Sequence, residues 1–326
     1  MSYLGRGAVI GAAVCLLAAG CGGNGDGLDG VGAASGRYIV FQSARPSGGP
    51  TGDDIYLYDR VASALVGLPA GLNSADYDGA PCLDGSARYV GFESDRPGGV
   101  GGIDVCLYDL QSSSPVALPG LNSGATDSSP SMSSDSQLVA FMSDRGGDQD
   151  VYLYDRQASS LVALPGLNSA DADSFPRISG AGGYIVFNSM RAGGQGGFDV
   201  YLYDRQASSL VPLPGLNSAD HELRPCISAD GRYIAFDSNR AGGAGSFDVY
   251  LYDRQASSLV PLPGLNSSSL DSGAAISANG REIAFASNRG GGVGGFDVYL
   301  YDREISWIVP CPGLNSVDPD HFPGLD

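Results

Sequence analysis

Glutamate occurs only four times in the chain, as Glu93, Glu222, Glu282 and Glu304, and histidine only twice, as His221 and His321. These side chains are the first to weigh for acid–base work. A glycosidase of the paired-carboxylate kind needs one protonated and one ionised carboxyl flanking a sugar bond, and distant segments can supply the two. Glu222 alone falls in a connecting loop on the expected binding face, beside His221 and Arg224, so it is the first residue to test for catalysis. Neither histidine stands beside a serine or cysteine marked as a nucleophile; both are read as lying in equivalent connecting loops. No G-x-S-x-G motif is present.

A second set of residues recurs. Arginine follows an S-x-R pattern at Arg45, Arg96, Arg145, Arg191, Arg240 and Arg289, and aspartates stand in the connections at Asp76, Asp127, Asp171, Asp220, Asp271 and Asp318. An acidic ring with interleaved arginines can hold a peptide, a glycan or Ca2+. The same residues also have an architectural use. Each arginine precedes a hairpin whose far side opens with an aspartate, as Arg240 does Asp248, so an ion pair across every hairpin is expected. A residue repeated six times belongs to the building unit, whereas a site breaks the repeat. Tyr77, His221, Glu222 and Arg224 are the charged or aromatic residues that break it in these loops, and they join the arginines as candidate binding residues. "NSADYDG" and "NSADADS" alternate carboxylates without the closing glutamate of an EF-hand loop, and "GGQGG" lacks the helix a phosphate cradle requires. No cofactor is expected, and Ca2+ is the one ion the pattern allows.

Four of the six cysteines lie beyond the amino-terminal segment. Cys82 and Cys226 share a slot in units three apart, Cys106 replaces a tyrosine and Cys311 a leucine. Without a C-x-x-C pair or a Cys–His cluster, they read as small apolar substitutes in strands, that is, as buried free thiols.

The elements that must position these residues are repeats. "GLNS" begins at Gly71, Gly120, Gly166, Gly215, Gly264 and Gly313, and the core D-[VI]-x-L-Y-D keeps the same phase. Phe198 to Ser218 recurs unchanged from Phe247 to Ser267. Each unit holds four runs of strand length, "PCIS", "RYIAFDS", "DVYLYD" and "SLVPLP" in the unit from Pro225, separated by turn residues. "DVYLYD" puts valine and leucine on one face and two tyrosines on the other. A sheet with large side chains on both faces must be covered on both, and radial stacking of four-stranded sheets does this. The expected fold is all-β: a six-bladed β-propeller of four-stranded antiparallel blades.

"ISADGRYIAFDSNRAGG" followed by "FDVYLYD" resembles the PD40, or WD40-like, repeat of the TolB-type propeller family across residues 36–326. The resemblance implies the same six-bladed fold. It does not carry the Tol-Pal role, because no segment here is expected to form the separate amino-terminal α/β domain of that family. Oligogalacturonate lyases, which have similar repeats, show that such a scaffold can also be an enzyme.

The ring must be sealed. The first unit opens at "GRYIVF" with no convincing innermost strand before it, while ten residues beyond Gly71, Gly120, Gly166, Gly215 and, at the end, Gly313 lie Pro81, Pro130, Pro176, Pro225 and Pro323. "PGLD" is therefore expected to close blade 1 as its innermost strand, in competition with "GVGAAS" at 30–35. Removal of residues 320–326 is expected to destabilise the domain sharply.

The chain carries 18 basic and 36 acidic residues, for a net charge of −18, and every basic residue is arginine. Phosphate backbones repel such a surface, so nucleic acid is excluded as a partner. Residues 1–20 read as an export leader whose apolar run is too short to span a bilayer. "LAAGC" resembles a lipoprotein lipobox, which implies lipidation at Cys21; residues 21–35 form a Gly-rich tether and 36–326 the propeller. Gly22, in place of an aspartate, favours the outer membrane. The expected protein is a monomeric, lipid-anchored envelope propeller that binds a protein or an envelope polysaccharide without catalysis. Its rival is a polysaccharide hydrolase or lyase with its site at the propeller mouth.

Overall fold

The computed structural model describes residues 36–45 and 53–326, and it is all β-structure, with 24 strands in six four-stranded antiparallel sheets. The leader, Cys21, the tether and the "GVGAAS" segment lie outside the described residues.

Blade 1 is ordered β24 (Asp320–Leu325), β1 (Tyr38–Ser43), β2 (Asp54–Asp59) and β3 (Ala64–Val66). The innermost strands of blades 2 to 6 are β4 (Asp78–Leu83), β8 (Asp127–Met132), β12 (Asp173–Ile178), β16 (Glu222–Ile227) and β20 (Asp271–Ile276). Their second strands are β5 (Tyr89–Ser94), β9 (Leu138–Ser143), β13 (Tyr184–Ser189), β17 (Tyr233–Ser238) and β21 (Glu282–Ser287). The third strands are β6 (Asp104–Asp109), β10 (Asp150–Asp155), β14 (Asp199–Asp204), β18 (Asp248–Asp253) and β22 (Asp297–Asp302). Short outer strands complete the blades: β7 (Ser114–Pro115), β11 (Ser160–Val162), β15 (Ser209–Val211), β19 (Ser258–Val260) and β23 (Trp307–Val309). Each innermost strand touches the next in cyclic order, β24 returning to β4, so the sheets surround a common axis. The C-terminal strand closes the ring, with Ile39 opposite Leu325 and Ser43 opposite Asp320.

Six hydrophobic clusters fill the spaces between blades, as expected of sheets that cannot cover themselves. The repeated letters are explained by these seams. The leucine of every "GLNS", Leu72 to Leu314, is fully buried, a contribution of about 1.5–3 kcal/mol each. The asparagine beside it pairs with the backbone of the third strand: Asn217 donates from Nδ2 to the Val200 carbonyl at 3.0 Å and accepts the Val200 N–H at 2.9 Å. The second tyrosine of "YLYD" donates across the seam, Tyr252 to the Pro214 carbonyl at 2.9 Å. The final aspartate of that run caps the following turn, Asp253 accepting from the Gln255 N–H at 2.9 Å. That turn also holds a serine at positive φ in all six blades.

Strand direction sorts the loops onto two faces. The loops between second and third strands and the long connectors between blades share the upper face; the other two sets of turns share the lower face.

Candidate functional site

The six arginines of the S-x-R pattern lie on the upper face, but they point inward rather than presenting their charge. Each pairs with the carboxylate that opens an innermost strand: Arg96 with Asp78 at 2.6 Å, Arg191 with Asp173 at 2.7 Å, Arg240 with Glu222 at 3.0 Å, Arg289 with Asp271 at 2.6 Å, Arg45 with Asp320 at 2.5 Å, and Arg145 with Asp127. The same guanidinium donates to a connector leucine carbonyl, as Arg240 does to Leu216 at 2.6 Å, and lies between two rings, Phe236 and Tyr250. The expected pairing across the hairpin is therefore corrected. Asp248 instead accepts the Ala244 N–H at 2.7 Å and holds its own glycine loop closed. A short hairpin places arginine and aspartate close in sequence, but the aspartate is taken up by the N–H groups of its own loop, and the guanidinium turns to the connector, where it meets a carbonyl and a carboxylate together.

Glu222 belongs to this set. It is fully buried and accepts from the Ser218 N–H at 2.9 Å, the Ser218 hydroxyl at 2.5 Å, the Ser238 hydroxyl at 2.9 Å and Arg240. It is the first residue of β16 rather than a loop residue, and both its oxygens are occupied. Asp127 and Asp271 are buried partners of the same kind, whereas Asp76, Asp171, Asp220 and Asp318 remain at the surface of the connectors. The histidines are not equivalent either. His221 precedes β16 and accepts the Phe198 N–H at Nδ1, while His321 is the second residue of β24 and lies against Phe296 and Phe322. Burial holds the His321 imidazole below its ordinary range.

Departures from six-fold repetition gather in the inner layer of the ring. All six innermost strands carry an irregularity at their third residue, which has positive φ: Ala80, Ser129, Phe175, Arg224, Gly273 and Phe322, at 46° to 65°. Bulky residues rarely take this conformation, and its retention by two phenylalanines and an arginine marks strain held by the surrounding structure. At four seams the bulged N–H donates to a side chain from the second strand of the preceding blade. Ala80 donates to Gln42 at 3.0 Å, Ser129 to Glu93 at 2.8 Å, Arg224 to Asn188 at 3.2 Å and Gly273 to Asp237 at 2.8 Å. At the other two seams the corresponding second-strand residues are Met142 and Ala286.

Two buried carboxylates thus lie at these second-strand positions, Glu93 in blade 2 and Asp237 in blade 5. Tyr77 donates its phenol to Glu93 at 2.9 Å, with the Gly79 backbone so close that a Cβ there would sit 2.1 Å from the phenol oxygen. Burial pushes the Glu93 carboxyl up, opposed by the Ser129 N–H, the Tyr77 phenol and the Arg177 charge. Arg224 pairs with Asp237 at 2.7 Å, and burial raises Asp237 despite that partner. Arg177, 3% exposed, donates to the Ser129 and Pro176 carbonyls. Two buried atoms here, Asp237 Oδ1 and Arg177 Nε, have no hydrogen-bond partner. Of the repeat-breaking residues read from sequence, Tyr77 and Arg224 enter this network, and His221 stands at the corresponding edge of blade 5. Gln42, Glu93, Arg177, Asn188 and Asp237 were missed. Their signal was present in the second strands, where the frame F-x-S holds Gln, Glu, Met, Asn, Asp and Ala at its middle position.

Among the described residues no three His, Cys, Asp or Glu side chains are grouped so as to hold a metal ion. The alternating carboxylates of "NSADYDG" are separated, Asp78 being buried in its arginine pair and Asp76 left at the rim. Among the described residues no disulfide joins the cysteines; Cys82 and Cys226 are buried, but Cys106 and Cys311 are only half-buried. A groove of about 390 Å³ lies at the outer edge of blade 1, lined by Tyr56, Leu65, Leu68 and Asn73, away from the inner network and without a carboxylate, histidine or arginine.

No family model and no curated protein matches the sequence. Solved structures do match in fold. TolB from Acinetobacter baumannii superposes with a TM-score of 0.67 at 19% identity, over 88% of this chain and 66% of that one. A candidate TolB from Agrobacterium tumefaciens gives 0.58 at 16% identity, over 90% of this chain and 98% of that one. An oligogalacturonate lyase in complex with manganese gives 0.54 at 10% identity, over 84% and 73%. The chain spans just under two thirds of the Acinetobacter protein's length. With six four-stranded blades and a ring sealed by its last strand, the described chain is a six-bladed β-propeller similar in fold to TolB.

Proposed function

We propose that this propeller is a non-catalytic binding module of the bacterial cell envelope, held to a membrane by lipid on Cys21, whose protein or polysaccharide ligand seats at the upper mouth of the ring. One observation carries the reading: buried polar groups that break the repeat, Gln42, Glu93, Arg177, Asn188 and Asp237, collect in the inner layer of the ring. Burying polar groups costs stability, and a binding or catalytic role is one reason a fold retains them. The fold likeness to TolB is consistent with an envelope location. The S-x-R arginines and Glu222 support the ring; Tyr77, His221 and Arg224 remain the proposed contacts. Calcium, if it takes part, would draw on the rim aspartates rather than the paired ones.

A second reading, a polysaccharide hydrolase or lyase, draws on the Glu93–Tyr77 pair, since a carboxyl raised by burial beside a phenol is suited to proton transfer. Titration of the purified protein with a panel of peptides and envelope glycans, scored for both binding and cleavage, tests the two. Binding weakened by Tyr77→Phe and by Arg224→Met, without turnover, is the expected result. Cleavage that disappears in Glu93→Gln overturns the non-catalytic reading.

A further inference from the structure

The turns between third and outer strands, on the lower face, are not alike. In blades 3, 4 and 5 they read Gln-Ala-Ser-Ser (157–160, 206–209 and 255–258), but in blade 6 Glu-Ile-Ser-Trp (304–307) and in blade 1 Val-Ala-Ser-Ala (61–64). The apolar replacements stand in solvent: Val61 is 78% exposed, Ile305 62% and Trp307 67%. Blades 6 and 1 are neighbours, bridged on this face by Arg60 and Glu282 at 2.7 Å. Gly36, where the described chain begins, lies at the same bridge, its carbonyl accepting from Arg60 and its N–H donating to the Asp326 carbonyl at 2.8 Å.

We propose that the lower edge of blades 6 and 1 is a membrane-docking surface, with Val61, Ile305 and Trp307 entering the headgroup boundary of a lipid bilayer. The proposal rests on the anchored reading above and adds an orientation to it. Three observations favour lipid as the occupant. The described chain begins on this face, at Gly36, and only fourteen residues lie between it and Cys21. Tryptophan favours the bilayer interface, where its ring is buried and its N–H stays wet. Charge is divided unequally: the upper face and inner layer hold 22 acidic and 8 basic residues, the lower face 12 and 9. Anionic lipid therefore repels the upper face far more than the lower. The exposed apolar residues of the upper face, Val100, Met190, Val293 and Val317, stand in that acidic surround, on the face opposite Gly36.

Trp307 is the sole tryptophan, so its emission reports this edge alone. The full lipidated chain is reconstituted on vesicles of equimolar phosphatidylethanolamine and phosphatidylglycerol, with and without brominated acyl chains. Blue-shifted Trp307 emission that bromine quenches is expected, and Val61→Asp combined with Ile305→Asp should abolish the quenching while the protein still floats with the vesicles. Flotation of the parent without quenching overturns the docking surface and leaves the anchor standing. Failure to float removes the anchor and the docking surface together. Quenching that survives the double substitution overturns the assignment to this edge.

Discussion

At the level of single residues, repetition separates structural carboxylates from those that need another explanation. Glu222 occupies a slot held by aspartate in the other five blades, and all its donors come from the repeated frame. Glu222→Asp should stay within about 1 kcal/mol of the parent in denaturant midpoint, the range of ordinary substitutions. Glu222→Gln removes the charge that pairs with Arg240 and sets an amide donor against one of the present donors, such as the Ser218 N–H, and should cost about 3 kcal/mol, as loss of a buried ion-pair partner does. Glu93 behaves oppositely. Its carboxyl is raised in the fold, so between the ordinary carboxylate value and the raised one the native state binds the extra proton, and stability falls as pH rises through that window. Glu93→Gln should therefore melt above the parent at neutral pH, with the gain fading as the solution is acidified toward the unfolded value of about 4. Thermal melts of both proteins across that range check it. Sequence pointed to Glu222 because glutamate is rare. The residue that burial perturbs sits one position before a repeated serine, and its surroundings come from blades distant in the chain.

Among the elements, the sealing strand was readable by counting and its details were not. Pro323 falls in the slot of the other innermost-strand prolines, and β24 pairs with β1 as that count requires. The bulge in the same strand was invisible, because Phe322 takes positive φ without the glycine that usually announces it. The arginine pairing was misread for a related reason: eight residues separate Arg240 from Asp248, but the partner it takes lies eighteen back, across a connector. Deletion of residues 320–326 should remove the cooperative thermal transition, because β1 would lose its inner partner and the cluster around Ile39, Phe41 and Leu325 would open. A subtler test lies at Asp326, whose carboxylate accepts the Tyr38 N–H at 2.6 Å and whose pKa is pushed up to about 6 by burial. The folded form binds its proton more tightly than the unfolded chain, so stability is lost as pH rises from about 4 to 6. Asp326→Asn keeps the acceptor and loses the charge; it should raise the melting temperature at pH 7 and leave it unchanged at pH 4.

Over the whole molecule, the outer shell counts in sixes and the inner layer counts in threes. Going round the ring from blade 1, the residue between phenylalanine and serine is Gln42, Glu93, Met142, then Asn188, Asp237, Ala286: amide, carboxylate, apolar, twice over. The bulges follow the same order, since the seams after Met142 and Ala286 are those that carry Phe175 and Phe322. Cys82 and Cys226, and Tyr77 and His221, likewise stand three blades apart. A layer selected for ring stability alone would supply an acceptor at every seam, because the backbone N–H is there at every seam to be satisfied. Ala286→Asn tests this directly. It recreates in blade 6 the arrangement of Asn188, which accepts the Arg224 N–H and donates to Ser174 at 2.8 Å, with Ser272 and Phe322 in the matching positions. One added neutral hydrogen bond should raise stability by about 1 kcal/mol, read as a higher denaturant midpoint. Stabilisation by so small a change would mean that the apolar pair of seams is kept at the expense of the fold, and that the two-fold order belongs to what the mouth of the ring must recognise. A variant less stable than the parent would instead assign Ala286 to packing, and the three-blade order would then carry no information about the ligand.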